Sequence, residues 1–219
     1  QVDRIEIASA RVSEGEQEAV NRITQWAKSK GLLDRIEVLT FVDKNVSLDW
    51  MQSAGAQVQN LLTKGSLNHL THQLKLTPEQ HFEQVGQNLQ EAQKRGITSN
   101  VYLEDWSNGM RNSKPYVFDY LDFLVTQPIK RILLPDTLGI LTPEETAAFL
   151  KEILERYPTT HFDFHGHNDY DLGVANVLEA VKAGVHGLHL TVNGMGERAG
   201  NAALADRTKY FALVDADLV

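Results

Sequence analysis

Two histidines separated by a single residue carry the most specific chemical signal in this sequence. His165 and His167 belong to the segment FHGHND, which covers residues 164–169. Residues i and i+2 of a β-strand point to the same side, so the two imidazoles could share one divalent metal ion. Alternatively, they are two polar side chains at a strand end whose hydrogen bonds are satisfied inside the protein. Spacing alone leaves both interpretations open.

A glycine-rich segment, NGMGERAGN, covers residues 193–201 directly after the last predicted strand. Four of its nine residues are Gly or Ala, which would let the backbone approach a ligand closely. The carboxamide oxygen of Asn201 is a hard ligand of the kind that divalent cations accept. The alternative is a tight turn that precedes a helix.

Further polar residues follow or lie near the other predicted strands. Glu104 comes two residues after Tyr102, so both side chains can face the same end of the sheet. The alternative for Glu104 is a solvated carboxylate at a strand end. Three other histidines are expected to be structural, because their positions place them on other faces or at the starts of strands: His161, His186 and His189.

The elements that would position these residues alternate between strand and helix. Hydrophobic periodicity predicts seven strands, over residues 2–7, 35–40, 58–62, 97–103, 131–134, 161–165 and 186–192. Two of the intervening helices begin with the same pattern, Thr77-Pro78 and Thr142-Pro143, in which an N-cap threonine precedes a proline in the first turn. This alternation predicts a parallel sheet that is covered by helices.

Two architectures fit such a pattern, an open doubly wound sheet and a (β/α)8 TIM barrel. No G-x-G-x-x-G motif follows the early strands, which weakens the dinucleotide-binding form of the open sheet. Seven units in 219 residues, beginning at Gln1 within a strand and without an initiator Met, predict a TIM barrel that lacks its first strand–helix unit. We therefore expect residues 1–219 to form one catalytic barrel domain, as a fragment of a longer chain.

The overall composition restricts the partners that the protein could have. The chain has 21 Lys and Arg against 29 Asp and Glu, a formal net charge of -8, which argues against a nucleic acid or an anionic membrane as partner. Cysteine is absent, which excludes thiolate metal sites and disulfides within these residues. No apolar run approaches the ~20 residues that span a bilayer, so we expect no membrane insertion. The absence of cysteine and of a visible signal peptide favours a reducing cytoplasm.

Three motifs together resemble those of the 2-isopropylmalate, homocitrate and citramalate synthases, which belong to the same superfamily of barrel metallolyases as hydroxymethylglutaryl-CoA lyase. The motifs are LPDTLG at 134–139, HGHND at 165–169 and GERAGN at 196–201. The resemblance implies a Claisen-type condensation of acetyl-CoA with a 2-oxo acid, followed by thioester hydrolysis. It also implies that this reaction belongs to branched-chain amino-acid biosynthesis.

The resemblance further implies a divalent ion, Mg, Mn or Zn, as cofactor. Its ligands on this chain would be His165, His167 and Asn201. A fourth ligand, an Asp, belongs to an Arg-Asp-Gly-Glu motif of the family that does not occur in this sequence. The family commonly forms homodimers, often carries a C-terminal regulatory domain, and draws a His from a C-terminal segment of the partner subunit.

Roles in substrate binding follow from the same resemblance. Thr137 matches a residue whose hydroxyl binds the carboxylate of the 2-oxo acid, and Glu104 matches an acidic residue associated with acetyl-CoA activation, either as the base or as a group that positions it. Three residues match the pocket for the side chain of the 2-oxo acid: Leu39, Leu62 and Tyr102. Leu and Tyr there leave room for a methyl group, which favours pyruvate as the substrate and (R)-citramalate as the product.

Three alternatives remain open at this stage. The first is a 2-isopropylmalate synthase, which uses 3-methyl-2-oxobutanoate in leucine biosynthesis. The second is a lyase of the same superfamily that cleaves its substrate. The third is a barrel fragment that binds metal without turnover.

Overall fold

The computed structural model describes residues 2–9 and 13–206. Within them, seven strands form one parallel sheet in sequence order. The strands are β1 Ile5–Ile7, β2 Ile36–Phe41, β3 Val58–Lys64, β4 Thr98–Glu104, β5 Arg131–Asp136, β6 Phe162–Gly166 and β7 Gly187–His189. The predicted number of strands and their parallel pairing are confirmed, although β1 and β7 are shorter than the sequence pattern suggested.

Helices connect the strands and cover one face of the sheet. They are α1 Glu14–Ser29, α2 Val46–Ala54, α3 Leu67–His69, α4 Pro78–Lys94, α5 Trp106–Asn112, α6 Lys114–Leu124, α7 Pro143–Arg156 and α8 Gly173–Ala183. Thr77 and Thr142 begin α4 and α7 with complete capping boxes, as their sequence pattern predicts. None of the helices in the described part of the chain is long and apolar enough to cross a membrane.

Two short helical segments at the carboxyl ends of β3 and β4 were not predicted from the sequence. One comprises α3 and the π-helical turn Leu70–Leu74 that follows it, and the other is α5. Both are too short for a clear helical period of apolar residues. Their positions matter because they hold the loops at the end of the sheet where the candidate site lies.

Strand alternation divides the sheet into an inner and an outer face. The outer face is apolar: Ile132, Leu134, Phe162 and Phe164 are fully buried within the core cluster that includes residues of the surrounding helices. Burial of each such side chain contributes about 1.5–3 kcal/mol relative to exposure. The outer face therefore holds the helices against the sheet.

The inner face carries mostly polar side chains, and their positions follow from register. Leu62 on β3 is in register with Tyr102 on β4, and His165 on β6 is in register with His189 on β7. Register partners in parallel strands point to the same side, so these residues share the inner face. All four residues lie near the carboxyl ends of their strands.

The sheet curves around this inner face. Arg131 on β5 forms an ion pair with Glu37 on β2, and His189 on β7 lies 4.0 Å from Glu6 on β1. Contacts between strands that are not neighbours require a sheet that bends around a common interior. In the described residues β1 and β7 end the sheet without pairing to each other. The prediction of a TIM barrel that lacks one strand–helix unit is thus confirmed.

Candidate functional site

Most of the residues singled out from the sequence lie at the carboxyl ends of the strands. His165 lies on β6 and His167 directly follows this strand, and their Nε2 atoms are 3.3 Å apart. Burial lowers the pKa of both imidazoles, with neighbouring positive charge from His189 at His165 and from Arg198 at His167 adding to the effect. Both rings are therefore neutral near pH 7, which is the form that binds a metal ion.

Asn201 reaches this pair because the chain after β7 folds back across the end of β6. His167 and Asn201 form an antiparallel bridge. The N–H of Asn168 donates to the carbonyl of Gly200 at 2.9 Å, and the N–H of Ala202 donates to the carbonyl of Gly166 at 3.0 Å. These backbone bonds place a residue 34 positions away in sequence beside His167.

Two glycines of the segment 193–201 are needed for this path. Gly200 has a φ of +90°, and a Cβ there would lie 2.2 Å from the carbonyl oxygen of Gly194. A Cβ on Gly196 would lie 2.3 Å from the side-chain nitrogen of Asn201. The glycines thus serve the packing of the loop around the carboxamide, whereas the close approach to a ligand that their composition suggests stays a prediction.

Polar atoms at this point are buried without a protein partner. Within the described residues, Nδ1 of His167 and Oδ1 of Asn201 are buried and make no hydrogen bond. Buried polar groups normally have partners, because an unsatisfied one costs about 1–3 kcal/mol. Two neutral imidazoles and an unpartnered amide oxygen are a suitable donor set for a divalent cation.

The spacing of the imidazoles also fits a shared cation. Two ligands at about 2.1 Å from one ion, at angles between tetrahedral and octahedral, lie roughly 3.0–3.4 Å apart. The Nε2 atoms of His165 and His167 have such a separation, at 3.3 Å. Among the described residues, no group of three or more His, Cys, Asp or Glu side chains is placed to hold a metal ion.

An arginine ties together three loops around the candidate site. The guanidinium of Arg198 binds both carboxylate oxygens of Asp169, at 2.7 and 2.9 Å, and also donates to the backbone carbonyl of Thr137 at 2.7 Å. This arginine lowers the pKa of Asp169, so the pair stays ionised. The contacts fix the loops after β5, β6 and β7 relative to each other.

Thr137 presents a hydroxyl whose orientation is set by Asp105, the residue that follows β4. Its Oγ1 accepts a hydrogen bond from the backbone N–H of Asp105 at 2.8 Å. Because that bond uses a lone pair of the oxygen, the hydroxyl proton is available for an acceptor in the interior. Thr137 is therefore arranged as a donor.

Asp105 is the residue that organises this side of the site. It is fully buried, has a left-handed backbone with φ of 66°, and begins α5. Its carboxylate accepts hydrogen bonds from the hydroxyl of Ser66 at 2.6 Å and from the amide of Asn108 at 2.8 Å. Asp105 thus joins the ends of β3 and β4, while its N–H holds Thr137 at the end of β5.

Glu104, the predicted residue for acetyl-CoA activation, ends β4 and is partly exposed. It is in register with Lys64 at the end of β3, and the ammonium of Lys64 forms an ion pair with the Glu104 carboxylate. Nδ1 of His69 lies 3.9 Å from the other carboxylate oxygen. Lys64 and His69 were not predicted as partners of Glu104. Contacts between neighbouring strands depend on the register of the strands, which the sequence does not reveal.

The predicted pocket residues share the inner face of the sheet. Leu62 and Tyr102 are register partners, and Leu39 is in register with Asn60, one inward-facing position below Leu62. Tyr102 is only 5 % exposed. Burial, together with the nearby carboxylates of the inner face, raises the pKa of Tyr102 well above its ordinary value, so its hydroxyl keeps its proton.

His189 was expected on another face of the barrel, and this placement is wrong. Its Nδ1 lies 2.6 Å from the hydroxyl of Tyr102 and 3.0 Å from Nδ1 of His165. Because His165 and His189 are register partners on β6 and β7, their rings meet on the inner face. A correct prediction from the sequence would have needed the register between these two strands.

The other two histidines, His161 and His186, lie at the starts of β6 and β7, as the sequence predicts. His161 and His186 pack against each other at 4.9 Å between ring centroids, at the opposite ends of β6 and β7 from the candidate site. His161 also lies 2.8 Å from Asp163. The structure therefore brings together His165, His167 and Asn201, with His189 beside them, and leaves His161 and His186 apart.

Comparison with known proteins connects this arrangement to a family. The HMGL-like family matches residues 1–212. The chain is 33% identical over 205 residues to a probable 2-isopropylmalate synthase from Ignicoccus hospitalis, with 94% of this chain and 49% of that protein covered. It is 35% identical over 205 residues to a putative (R)-citramalate synthase from Methanothermobacter thermautotrophicus, with 93% of this chain and 39% of that protein covered.

Solved structures agree with the fold. The crystal structure of hydroxymethylglutaryl-CoA lyase from Pseudomonas aeruginosa aligns with a TM-score of 0.74 at 15% identity, over 97% of this chain and 85% of that one. The chain spans half or less of the length of the two curated relatives described above. The resemblance inferred from the three motifs is confirmed, and the chain belongs to the HMGL-like family.

Proposed function

We propose that the protein is a metal-dependent acyltransferase that condenses acetyl-CoA with a 2-oxo acid. The observation that carries the proposal is the convergence of His165, His167 and Asn201 beside a threonine arranged as a hydrogen-bond donor. Relatives named as 2-isopropylmalate synthase and (R)-citramalate synthase support the same reaction class.

The metal ligands on this chain would be His165, His167 and Asn201, and we expect the Asp of the family's Arg-Asp-Gly-Glu motif as a further ligand. A divalent ion there would act as a Lewis acid on the keto group of the 2-oxo acid. The side chains that could bind the ion are two neutral imidazoles and a buried amide oxygen that has no protein partner. Mg, Mn and Zn all accept this donor set.

The carboxylate of the 2-oxo acid would be bound by Thr137. Because the Asp105 N–H already donates to Oγ1 of Thr137, the hydroxyl proton is directed to another acceptor. A carboxylate accepts such a bond strongly, since bonds to ionised acceptors are about twice as strong as neutral ones. The hydroxyl therefore orients the substrate without adding a charge.

The methyl group of acetyl-CoA must lose a proton before it can form a carbon–carbon bond, which requires a base close to that carbon. Glu104 is the carboxylate of this chain that we assign to acetyl-CoA activation, either as the base or as the group that positions the base. Lys64 holds one oxygen of its carboxylate. The other oxygen faces His69 at 3.9 Å and is left without a close protein partner in the described residues.

Pyruvate is the 2-oxo acid that we favour, with (R)-citramalate as product. Leu62 and the buried ring of Tyr102 stand side by side where the substrate side chain would lie, and Leu39 lies on the same face. Their volume suits a methyl group better than an isopropyl group. Each additional methylene is worth only about 1–3 kcal/mol in such a pocket, so a 2-isopropylmalate synthase is the second candidate.

The test is an assay of the full-length protein for CoA release. Acetyl-CoA would be combined with either pyruvate or 3-methyl-2-oxobutanoate, with Mg, Mn or Zn added after removal of bound metal. We expect metal-dependent turnover with a higher kcat/KM for pyruvate. A preference for the branched acid would assign the protein to leucine biosynthesis, and turnover with neither acid would favour a barrel that binds metal without catalysis.

A control distinguishes synthesis from cleavage. Incubation of the protein with a 3-hydroxy-3-methylglutaryl thioester should produce no acetoacetate, and release of acetoacetate would assign it to the cleaving lyases. We further propose a homodimer as the working form, by analogy with the family. Sedimentation of the full-length protein measures that state directly.

A further inference from the structure

The ring of His189 lies between the candidate substrate pocket and the candidate metal ligands. Its Nδ1 is 2.6 Å from the hydroxyl of Tyr102 and 3.0 Å from Nδ1 of His165. Nε2 of His165 in turn is 3.3 Å from Nε2 of His167. The three imidazoles and the phenol therefore form a continuous row of close polar contacts on the inner face of the barrel.

The placement of the four groups restricts where their protons can lie. Burial among carboxylates raises the pKa of Tyr102, so the phenol keeps its proton and can donate it to Nδ1 of His189 or to the carboxylate of Glu6. Nε2 of His189 lies 4.0 Å from the carboxylate of Glu6, so a proton on this nitrogen faces a negative charge. With a bare Nδ1 on His189, the close contact to His165 is favourable only if Nδ1 of His165 donates.

The consequence concerns the other nitrogen of His165. A neutral imidazole has one N–H and one bare nitrogen, so a proton on Nδ1 of His165 leaves its Nε2 bare. This is the nitrogen that faces His167 and would face the cation. In metal sites, the group that binds the second ring nitrogen fixes both the tautomer and the orientation of the ligand.

We propose that His189 is a positioning residue, which accepts a hydrogen bond from the Nδ1–H of His165 and thereby presents Nε2 of His165 to the metal ion. The inference rests on the metal centre of the proposed function. Tyr102 and Glu6 hold His189 from its two sides, so the residue that shapes the substrate pocket also fixes a metal ligand. A change of Tyr102 is then expected to alter metal affinity as well as substrate choice.

The experiment compares four forms of the full-length protein: wild type, His189→Leu, His189→Asn and His186→Leu. Leu removes the acceptor, whereas the Oδ1 atom of Asn can take the place of Nδ1. His186 is an exposed histidine three residues away, at the other end of β7, and serves as the matched control. The probe is Mn²⁺ alone, titrated while the signal of the free ion is followed by electron paramagnetic resonance.

We expect His189→Leu to bind Mn²⁺ about 10–100-fold more weakly than wild type, in the range found when such supporting groups are removed. His189→Asn should recover affinity to within about threefold of wild type, and His186→Leu should match wild type. Equal affinity of wild type and His189→Leu would overturn the proposal. So would a loss in His189→Asn as large as that in His189→Leu.

A second measurement does not depend on metal. Nitrogen-15 NMR of the imidazoles in the metal-free protein should show His165 with its proton on Nδ1, and His189→Leu should lose this preference. A proton on Nε2 of His165 in wild type would overturn the proposal. If metal binding depends on His189 but the protein does not turn over acetyl-CoA, the proposed function is refuted and this inference stands. If the protein turns over acetyl-CoA but His189→Leu binds Mn²⁺ as tightly as wild type, the proposed function stands and this inference is refuted.

Discussion

The interior of the barrel contains two polar layers that differ in how completely their hydrogen bonds are satisfied. The lower layer lies toward the amino ends of the strands. Arg131 at its centre pairs with Glu37 and Asp163, and its Nε donates to Asn100 at 3.3 Å. Asn60 completes the layer by donating to Glu37 at 3.0 Å and accepting from Asn100 at 2.8 Å.

The upper layer lies at the carboxyl ends and leaves several buried groups open. Among the described residues, the buried side-chain atoms without a partner include Nδ1 of His69, Nδ1 of His167 and Oδ1 of Asn201, whereas none belongs to the five residues of the lower layer. Both layers are buried and rich in polar atoms. The difference indicates that the lower layer stabilises the barrel, while the upper layer keeps donors and acceptors for a ligand.

The largest expected effect tests the lower layer. Arg131→Met would leave the carboxylates of Glu37 and Asp163 buried without their cation, and we expect the free energy of unfolding to fall by about 3–5 kcal/mol. Urea denaturation of the full-length protein measures it. The control is Lys151→Met, which removes an exposed pair with Glu155 and should change stability by less than about 1 kcal/mol. Equal stability of the two variants would contradict the assignment.

The next effect tests the upper layer. His167→Ala removes a metal ligand, so we expect metal affinity to fall at least about 100-fold, or roughly 2.7 kcal/mol, and metal-dependent activity to be lost. The ring already has one unsatisfied nitrogen, and we therefore expect a smaller loss of unfolding free energy than for Arg131→Met. Unchanged metal affinity and rate would remove His167 from the site.

A third prediction concerns His81, a histidine that lies near the upper layer but whose two ring nitrogens both have partners. His81 packs close behind the upper layer, where its Nδ1 contacts the hydroxyl of Tyr116 at 3.0 Å and its Nε2 accepts from the N–H of Lys64 at 3.5 Å. Burial, aided by the charge of Lys64, lowers the pKa of His81 to about 4. Because its nitrogens have partners, we expect His81 to affect stability rather than ligand binding.

The sign of the pH dependence follows from that shift. The unfolded chain takes up a proton on His81 below about pH 6.5 and the folded chain only near pH 4. The contribution to stability is therefore complete above pH 6.5 and declines as the pH falls toward 4, by ~2 kcal/mol at pH 5. Unfolding of wild type and His81→Gln between pH 5 and 8 measures it, and identical slopes for the two proteins would contradict the prediction.

The smallest effect concerns the ion pair at the upper rim. Lys64 and Glu104 are partly exposed, so their coupling should be modest. We expect Lys64→Met to lower kcat about tenfold when Glu104 is present and to have little further effect in Glu104→Gln, because the lysine acts through the carboxylate. A kinetic double-mutant cycle on CoA release measures this coupling, and Lys64→Arg, which keeps the charge, is the matched control. Additive effects would show that Lys64 acts independently of Glu104.

Much of the fold could be predicted from local sequence patterns. The capping boxes at Thr77 and Thr142 and the apolar strands β4 and β6 involve residues close in sequence, so the pattern itself contains the physical cause. The short helices α3 and α5 were not predicted, because a helix of one or two turns has no detectable period. Their positions depend on contacts such as that between Asp105 and Ser66, which are 39 residues apart in the chain.

The candidate site shows the same division. The spacing of His165 and His167 on one strand places both rings on one side, and the glycine-rich segment supplies Asn201, so these three residues could be named from the sequence. His189 and Lys64 could not, because their partners lie on neighbouring strands and are selected by register. A shift of one residue in register would turn either side chain to the opposite face.

The amino-acid sequence by itself determined the alternation of strands and helices, the parallel sheet, and the residue types that could bind a metal ion and a 2-oxo acid, since each depends on periodicity and side-chain chemistry along the chain. Only the tertiary structure decided which polar residues are satisfied and which are open. That distinction depends on curvature of the sheet, which brings Arg131 against Glu37 and His189 against Tyr102 across strands that are not neighbours. Hydrogen bonding is short-ranged, so only the assembled interior can determine whether a polar group has a protein partner or is left for a ligand.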